Sequence, residues 1–417
     1  MRERFPRFFD ATIWAAVILA DAALLLGGVA AGFLVLQKLG GNYADLALVG
    51  AAGSLAYALA SPLSARLGPR FGLRRMTVTG AALYATASLL MSLSGSVVQV
   101  IGASALTGLA GAMLWPNVEA ELARGRQGPL LRRRLSIFNT MWCAGATFGP
   151  FLGSFIYPSD LVAAGPDGRA AINLVFYAAA ALALGTLLFL LLWRSAQPAA
   201  AEVRRHIAAE TPRDPARLRA FLLMAYVGNF MCYVVIAVLR NLYQKLASQQ
   251  WADQEPARKD FVLLTALGLA STLMFLAMFF AHRWPYRLKR HIFAQLALVA
   301  AVAVVALTGS FWVSVAAFLV IGVASSFIYS GSLFYSIEGT TESSHMAGWH
   351  ECVLGLGGVC GLLFSGFSPS LLRHLGVESD YWLVRTPYLV AAGIFALGIV
   401  VQLAIYQRHR PQFVRQS

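Results

Sequence analysis

Twelve long apolar stretches, nearly free of charge, divide this chain from end to end. They fall at roughly 11–36, 44–65, 76–96, 98–122, 135–157, 171–193, 219–244, 261–282, 291–309, 311–336, 347–371 and 386–406. A bilayer core is crossed by about 20 apolar residues in one helix. Leu135–Tyr157, for example, runs 23 residues without a formal charge directly after Arg132, Arg133 and Arg134. Only closed barrels and helices satisfy their backbone groups in lipid, and stretches of this length are helical. The expected fold class is therefore an all-α polytopic membrane protein with twelve transmembrane helices. The tightest breaks, near Gly95 and Gly309, join two spans with very few residues.

The composition agrees. Hydrophobic residues make up 58% and charged residues 12%, against about 25% charged in soluble domains. The net charge of +14 would raise nucleic acid as a partner in a soluble chain. In a membrane protein it follows from cytoplasmic loops collecting Lys and Arg, so no nucleic acid is expected. Cys143, Cys232, Cys352 and Cys360 all lie in apolar segments without metal or redox spacing, as packing cysteines do. MRERFPRFFD precedes the first apolar stretch with no small-residue cleavage site and reads as the lead into a retained span.

Basic residues set the expected topology. Most of the 33 Lys and Arg residues fall in alternate loops, which places both termini in the cytoplasm of a multi-pass inner-membrane protein. The longest polar connection, 195–218, carries RRHIAAETPRDPAR and separates six spans from six. The expected division is an N-terminal bundle at 1–194, a cytoplasmic linker at 195–218 and a C-terminal bundle at 219–417. The linker reads as a solvated connection, with a short basic surface helix at 203–210 as the alternative.

The two halves repeat weakly. Gly108-Leu-Ala-Gly-Ala-Met-Leu-Trp115 aligns without gaps on Gly322-Val-Ala-Ser-Ser-Phe-Ile-Tyr329, and Gly145-xxx-Gly149 on Gly357-xxx-Gly361. Leu36-Gln37-Lys38-Leu39 resembles Tyr243-Gln244-Lys245-Leu246. The offsets are similar and in the same order, as a duplicated six-span unit requires. Six is even, so both copies enter the membrane in the same orientation. Parallel repeats place a substrate between the halves near the midplane.

Two local motifs stand out. In the fifth span, Gly145, Gly149 and Gly153 lie four apart and make a flat face for close helix approach. Pro150 among them removes a backbone donor and favours a bend. After the second span, Ala65-Arg66-Leu67-Gly68-Pro69-Arg70-Phe71-Gly72-Leu73-Arg74-Arg75 makes a tight basic turn. The counterpart after the eighth span is HRWPYRLKR.

Twelve spans, a six-plus-six duplication and these motifs together resemble the major facilitator superfamily along the whole chain. The basic turn is similar to that family's Gly-x-Leu-x-Asp-Arg-x-Gly-Arg-Arg signature through Leu67, Arg70, Gly72, Arg74 and Arg75, the last two displaced by one extra residue, Leu73. The first glycine of the pattern falls on Ala65 and its acid on Pro69. The family's cytoplasmic latch between halves usually uses that acid, so the resemblance leaves the latch open here. Gly145, Gly149, Pro150 and Gly153 look like the span-5 signature of proton-driven exporters, with Ser154 at its final glycine. The resemblance implies two pseudo-symmetric six-helix bundles and a monomeric secondary transporter. It would export a small organic solute with no cofactor other than a proton gradient.

Polar residues inside spans carry any mechanism. Asp21 lies mid-span, where an ionisable group costs on the order of 3 kcal/mol on insertion scales. It reads either as a coupling carboxyl or as a packing acid bonded to a nearby polar group. Trp115, Asn117 and Glu119 stand on the fourth span, Asn139 and Trp142 on the fifth, Tyr329 and Tyr335 on the tenth, and His350 and Glu351 on the eleventh. All are expected in the cytoplasmic half, as an aromatic- and amide-lined pocket or as ordinary packing. His350 beside Glu351 suits a proton relay, although neighbours about 100° apart on a helix are not expected to face one point. The alternative for His350 is an interfacial residue at the membrane surface.

Nothing in the sequence reads as an enzyme. There is no phosphate-binding loop followed by Lys-Ser/Thr, and no His/Cys/acid cluster with metal-ligand spacing. No dominant charged pocket is apparent, which favours a neutral, aromatic or weakly charged solute. Two function classes remain: a secondary transporter working by alternating access, and a transporter-like sensor that binds without turnover.

Overall fold

The computed structural model describes residues 8–123, 128–157, 167–193, 215–252, 254–281, 284–338, 340 and 343–414. The described residues form twelve helices and no strand: α1 Phe8–Gln37, α2 Tyr43–Phe71, α3 Leu73–Leu93, α4 Val97–Ala123, α5 Gly128–Ile156, α6 Asp167–Leu192, α7 Pro215–Gln250, α8 Pro256–Phe280, α9 Leu288–Leu307, α10 Phe311–Ile337, α11 Ser343–His374 and α12 Asp380–Val414. Eleven are long and apolar enough to cross a membrane. The exception is α5, whose apolar run is interrupted by Ser136, Asn139, Thr140, its glycines and Pro150. Large apolar side chains such as Leu59, Phe155, Phe293 and Trp312 stand exposed around the outside, where lipid rather than water is their solvent.

Several helices outrun the apolar stretches. α5 starts seven residues before Leu135 and takes in Arg132–Arg134, because a helix continues past the hydrocarbon as long as its backbone bonds are met. α7 begins at Pro215, inside the expected linker; 195–214 lie outside the described residues, as do the chain termini. Pro150 sits inside α5 without ending it, and Pro116 inside α4. The expected tight breaks near Gly95 and Gly309 are present, with three residues between α3 and α4 and three between α9 and α10.

The packing is duplicated. α1 packs on α5 and α6, α2 on α4, and α3 on α4 and α6; six helices on, α7 packs on α11 and α12, α8 on α10, and α9 on α10 and α12. Gly145 and Gly149 of α5 sit against the backbone of Ile18 and Ala22 in α1, while Gly357 and Gly361 of α11 sit against Phe230 and Val234 in α7. Each of these four positions is repeated at one constant separation, 357 against 145 and 230 against 18. A glycine is needed at each because a Cβ would strike backbone that has no rotamer to give.

The halves meet along α2·α11 and α5·α8, a pair of contacts related by the same repeat. On the arginine-rich side, Ser344 Oγ donates to the Ala65 carbonyl at 2.7 Å and Gly348 packs on Ser61 and Ala65. The Gly128 amide there donates to Glu338 at 3.3 Å. On the opposite side, the Tyr43 hydroxyl donates to the Val384 carbonyl at 2.9 Å and Gly153 packs under the Phe261 ring. The halves therefore touch at both ends and leave a space between them.

Candidate functional site

That space is a cavity of about 240 Å³ lined by both halves. Asp21 of α1, Glu119 of α4 and Glu351 of α11 bring three carboxyls to it, and Arg240 of α7 brings the one basic group among the described lining residues. Aromatic walls come from Tyr57, Trp115, Trp142, Tyr233 and Tyr329. Trp142 lies 5.1 Å from Tyr329 between ring centres, across the line between the halves. The expectation of a pocket without marked charge is corrected here. Its acids and its base sit on four different helices, and only packing collects them.

Glu119 and Glu351 come from opposite halves and meet. Tyr329 donates to Glu119 Oε1 at 3.0 Å and lies 3.3 Å from Glu351 Oε1. Tyr57 donates to Glu351 Oε2. His350 Nδ1 contacts the Ser332 hydroxyl at 3.0 Å, and its Nε2 lies 3.8 Å from Glu351 Oε1. His350 is thus fully buried, which overturns the interfacial alternative. It also reaches the same point as Glu351, because two long side chains bend back across the angle that separates their Cβ atoms. The donor atoms of Glu119, His350 and Glu351 all lie within 4.8 Å of one another. Such a set can hold a proton or a small cation, and spacing along the chain missed it because Glu119 is remote in sequence.

Asp21 is fully buried. Its Oδ1 accepts the Trp142 indole N–H at 2.8 Å, and its Oδ2 has no partner. Arg240 faces the same cavity from the other half, within electrostatic reach of Asp21, yet the two form no ion pair.

The remaining candidates separate. Trp115, Trp142 and Tyr329 line the cavity. Asn117 does not: its amide donates to Ser64 at 2.9 Å and to the Met113 carbonyl at 2.8 Å, tying α4 to α2. Asn139 is buried off the cavity wall, with an unpartnered Oδ1. Tyr335 is corrected out of the pocket. Its hydroxyl accepts the Tyr286 amide at 2.6 Å, and its ring stacks on Tyr286 and Phe221 at the arginine-rich end.

In the basic turn, Gly72 takes φ +94°, and Arg70 and Arg75 are exposed. Arg74 donates to the Leu190 carbonyl at 3.3 Å and to that of Leu191, capping the C-terminal end of α6. Of the α5 motif, Gly145 and Gly149 pack within their own half, Gly153 reaches α8, and Pro150 is buried.

Arg240, Tyr57 and Tyr233 also line the cavity and are not among the residues expected from the sequence. Arg240 had a signal, being a basic residue on the apolar side of Asn241 within a span; the tyrosines had none beyond being aromatic.

Two six-helix bundles related by a parallel repeat, clasping a largely apolar cavity that holds three acids and one base at their interface, define a secondary transporter of the alternating-access class. The chain belongs to the Major Facilitator Superfamily, whose profile matches residues 13–362. No curated protein matches it significantly. Solved structures share the fold at low identity. A structure described for substrate recognition in proton-dependent oligopeptide transporters aligns with TM-score 0.73 at 12% identity, covering 97% of this chain and 99% of that one. A bacterial homolog of the human lysosomal transporter Spinster, inward-facing and unoccupied, aligns with TM-score 0.65 at 13% identity over 98% of each chain. The human organic anion transporter MFSD10 (TETRAN) aligns with TM-score 0.63 at 15% identity, covering 94% of this chain and 98% of that one.

Proposed function

We propose that the protein is a proton-coupled exporter of a small organic solute, acting as a monomer in the cell inner membrane with both termini in the cytoplasm. One observation carries the reading: carboxyls from both halves, Glu119 and Glu351, converge on a single tyrosine hydroxyl at the cavity wall. Two carboxylates this close in a water-poor site repel strongly, so the pair holds a proton or another cation. Parting the halves separates the two acids and changes what each can hold. Proton occupancy and the alternating-access transition are then linked by geometry.

Other observations support the same reading. Asp21 is a third buried carboxyl on the cavity, and the α5 glycine motif resembles that of proton-driven exporters. The contacts of Ser344 and Gly348 with α2 give the halves a closure at the arginine-rich end without the acid that Pro69 replaces. The test is flux in proteoliposomes. An imposed pH gradient is expected to drive solute against its concentration, and binding with no flux at any gradient would leave a sensor instead.

A further inference from the structure

The cavity holds an acid and a base that do not pair. The Arg240 guanidinium makes no hydrogen bond or ion pair among the described residues, and its Nε is buried without a partner. Asp21 Oδ2 is likewise buried and unpartnered. A carboxylate and a guanidinium removed from water are each costly unless neutralised and hydrogen-bonded, and direct pairing is the usual remedy. Here α1 and α7 bring them to the lining of one cavity, within electrostatic reach but without a direct contact. The missing partners are then one anionic group for the guanidinium and one N–H-bearing cationic group for the carboxyl.

We propose that the cavity takes an amphoteric organic solute of amino-acid type, its carboxylate on Arg240 and its ammonium on Asp21. A guanidinium presents a planar fork that matches a carboxylate in bidentate fashion. Asp21 keeps one oxygen fixed by Trp142 and the other free to accept an N–H. Trp142, Tyr233 and Tyr329 supply faces for an apolar or aromatic body, with Trp142 and Tyr329 already in ring contact. Because Asp21 and Arg240 belong to different halves, one bound solute bridges them and favours the state in which both halves close on it. The inference rests on the transport reading above and adds the chemical class of the solute. An ammonium arriving at Asp21 also takes the place a proton would hold there, which is the competition an exchanger needs.

The experiment uses the purified full-length protein in detergent at fixed pH, with three probes that share one benzyl body: L-phenylalanine, 2-phenylethylamine and 3-phenylpropanoate. Binding is read by calorimetry and by the shift in melting temperature. L-Phenylalanine is expected to bind roughly tenfold or more tighter than either single-charge analogue, the scale of one charge-assisted hydrogen bond. Arg240→Gln should reduce L-phenylalanine to the level of 2-phenylethylamine without weakening the amine. Asp21→Asn should reduce it to the level of 3-phenylpropanoate. Arg240→Lys should keep part of the preference, and the unliganded melting temperature of each variant reports folding directly.

Equal binding of 2-phenylethylamine and L-phenylalanine would overturn the proposal. So would unchanged L-phenylalanine binding in folded Arg240→Gln, or no binding of any probe at millimolar concentration. No gradient is applied, so the two readings fail separately. Gradient-driven flux with no response to these probes removes the solute class alone. Probe binding without flux removes the transport reading alone.

Discussion

The hydroxyl of Tyr329 donates to Glu119 at 3.0 Å while lying 3.3 Å from Glu351. One hydroxyl carries one proton, so it serves one of the two carboxyls at a time. The other must find its proton elsewhere, and the two acids belong to different halves of the molecule. Glu119→Gln and Glu351→Gln keep the shape and hydrogen bonding but remove titration. Each is expected to cut pH-gradient-driven accumulation in proteoliposomes at least tenfold while leaving solute exchange without a gradient largely intact. Accumulation at the parent level in both variants would make the cluster structural.

The α5 glycines are expected to act on stability rather than on a moving contact. A Cβ at Gly149 meets the Ala22 backbone, with its Cα at 2.9 Å, and the partner helix lies in the same half. Gly149→Ala should cost about 1–3 kcal/mol, the range for overpacking a tight site, and lower the melting temperature in detergent. Its repeat, Gly357→Ala, should do the same against Phe230. Gly153→Ala meets the buried Phe261 ring of the other half, so it should lower stability as well and, in addition, alter the transport rate. A larger effect on transport rate from Gly149→Ala than from Gly153→Ala would place the moving contact at Gly149 instead.

Gly72 stands at φ +94° between α2 and α3, with no atom near its missing Cβ. The backbone conformation alone demands glycine there. Gly72→Ala is expected to destabilise by about 1–3 kcal/mol, the cost of a side chain in a sparsely allowed region. It should also disturb the Arg74 cap on α6. Thermal unfolding of the purified variant checks this, and an unchanged midpoint would show that the turn relaxes freely.

The arginine distribution predicts orientation. In a variant with Cys143, Cys232, Cys352 and Cys360 replaced, single cysteines introduced across 195–218 should react with an impermeant thiol reagent only after the cytoplasmic side is exposed. Labelling in intact cells would invert the topology.

The sequence alone determined the class of the fold. Segment length, charge dilution and the positions of arginine report on a solvent boundary, and a bilayer imposes that boundary on every span in the same way. The duplication was legible for a related reason. Gly145 and Gly149 repeat as Gly357 and Gly361 because close helix approach admits only the smallest residue, so that constraint is written at single positions. The carboxyls were visible one by one, since an acid in an apolar run is conspicuous wherever it falls.

What only the tertiary structure decided is which of those groups meet. Glu119 and Glu351 share Tyr329, His350 turns inward onto Ser332, and Tyr335 leaves the pocket for Tyr286. Arg240 lines the same cavity as Asp21 rather than standing at a membrane surface. None of these pairings has a sequence period, because each joins two different elements, consecutive helices for Ser332 and His350 and helices in opposite halves for Tyr329 and Glu119. Side-chain direction on a helix buried on several sides is set by its neighbours, not by its own pattern of apolar residues. The amino-acid order placed the charges in the membrane; the packing of two halves around a common space gave them partners.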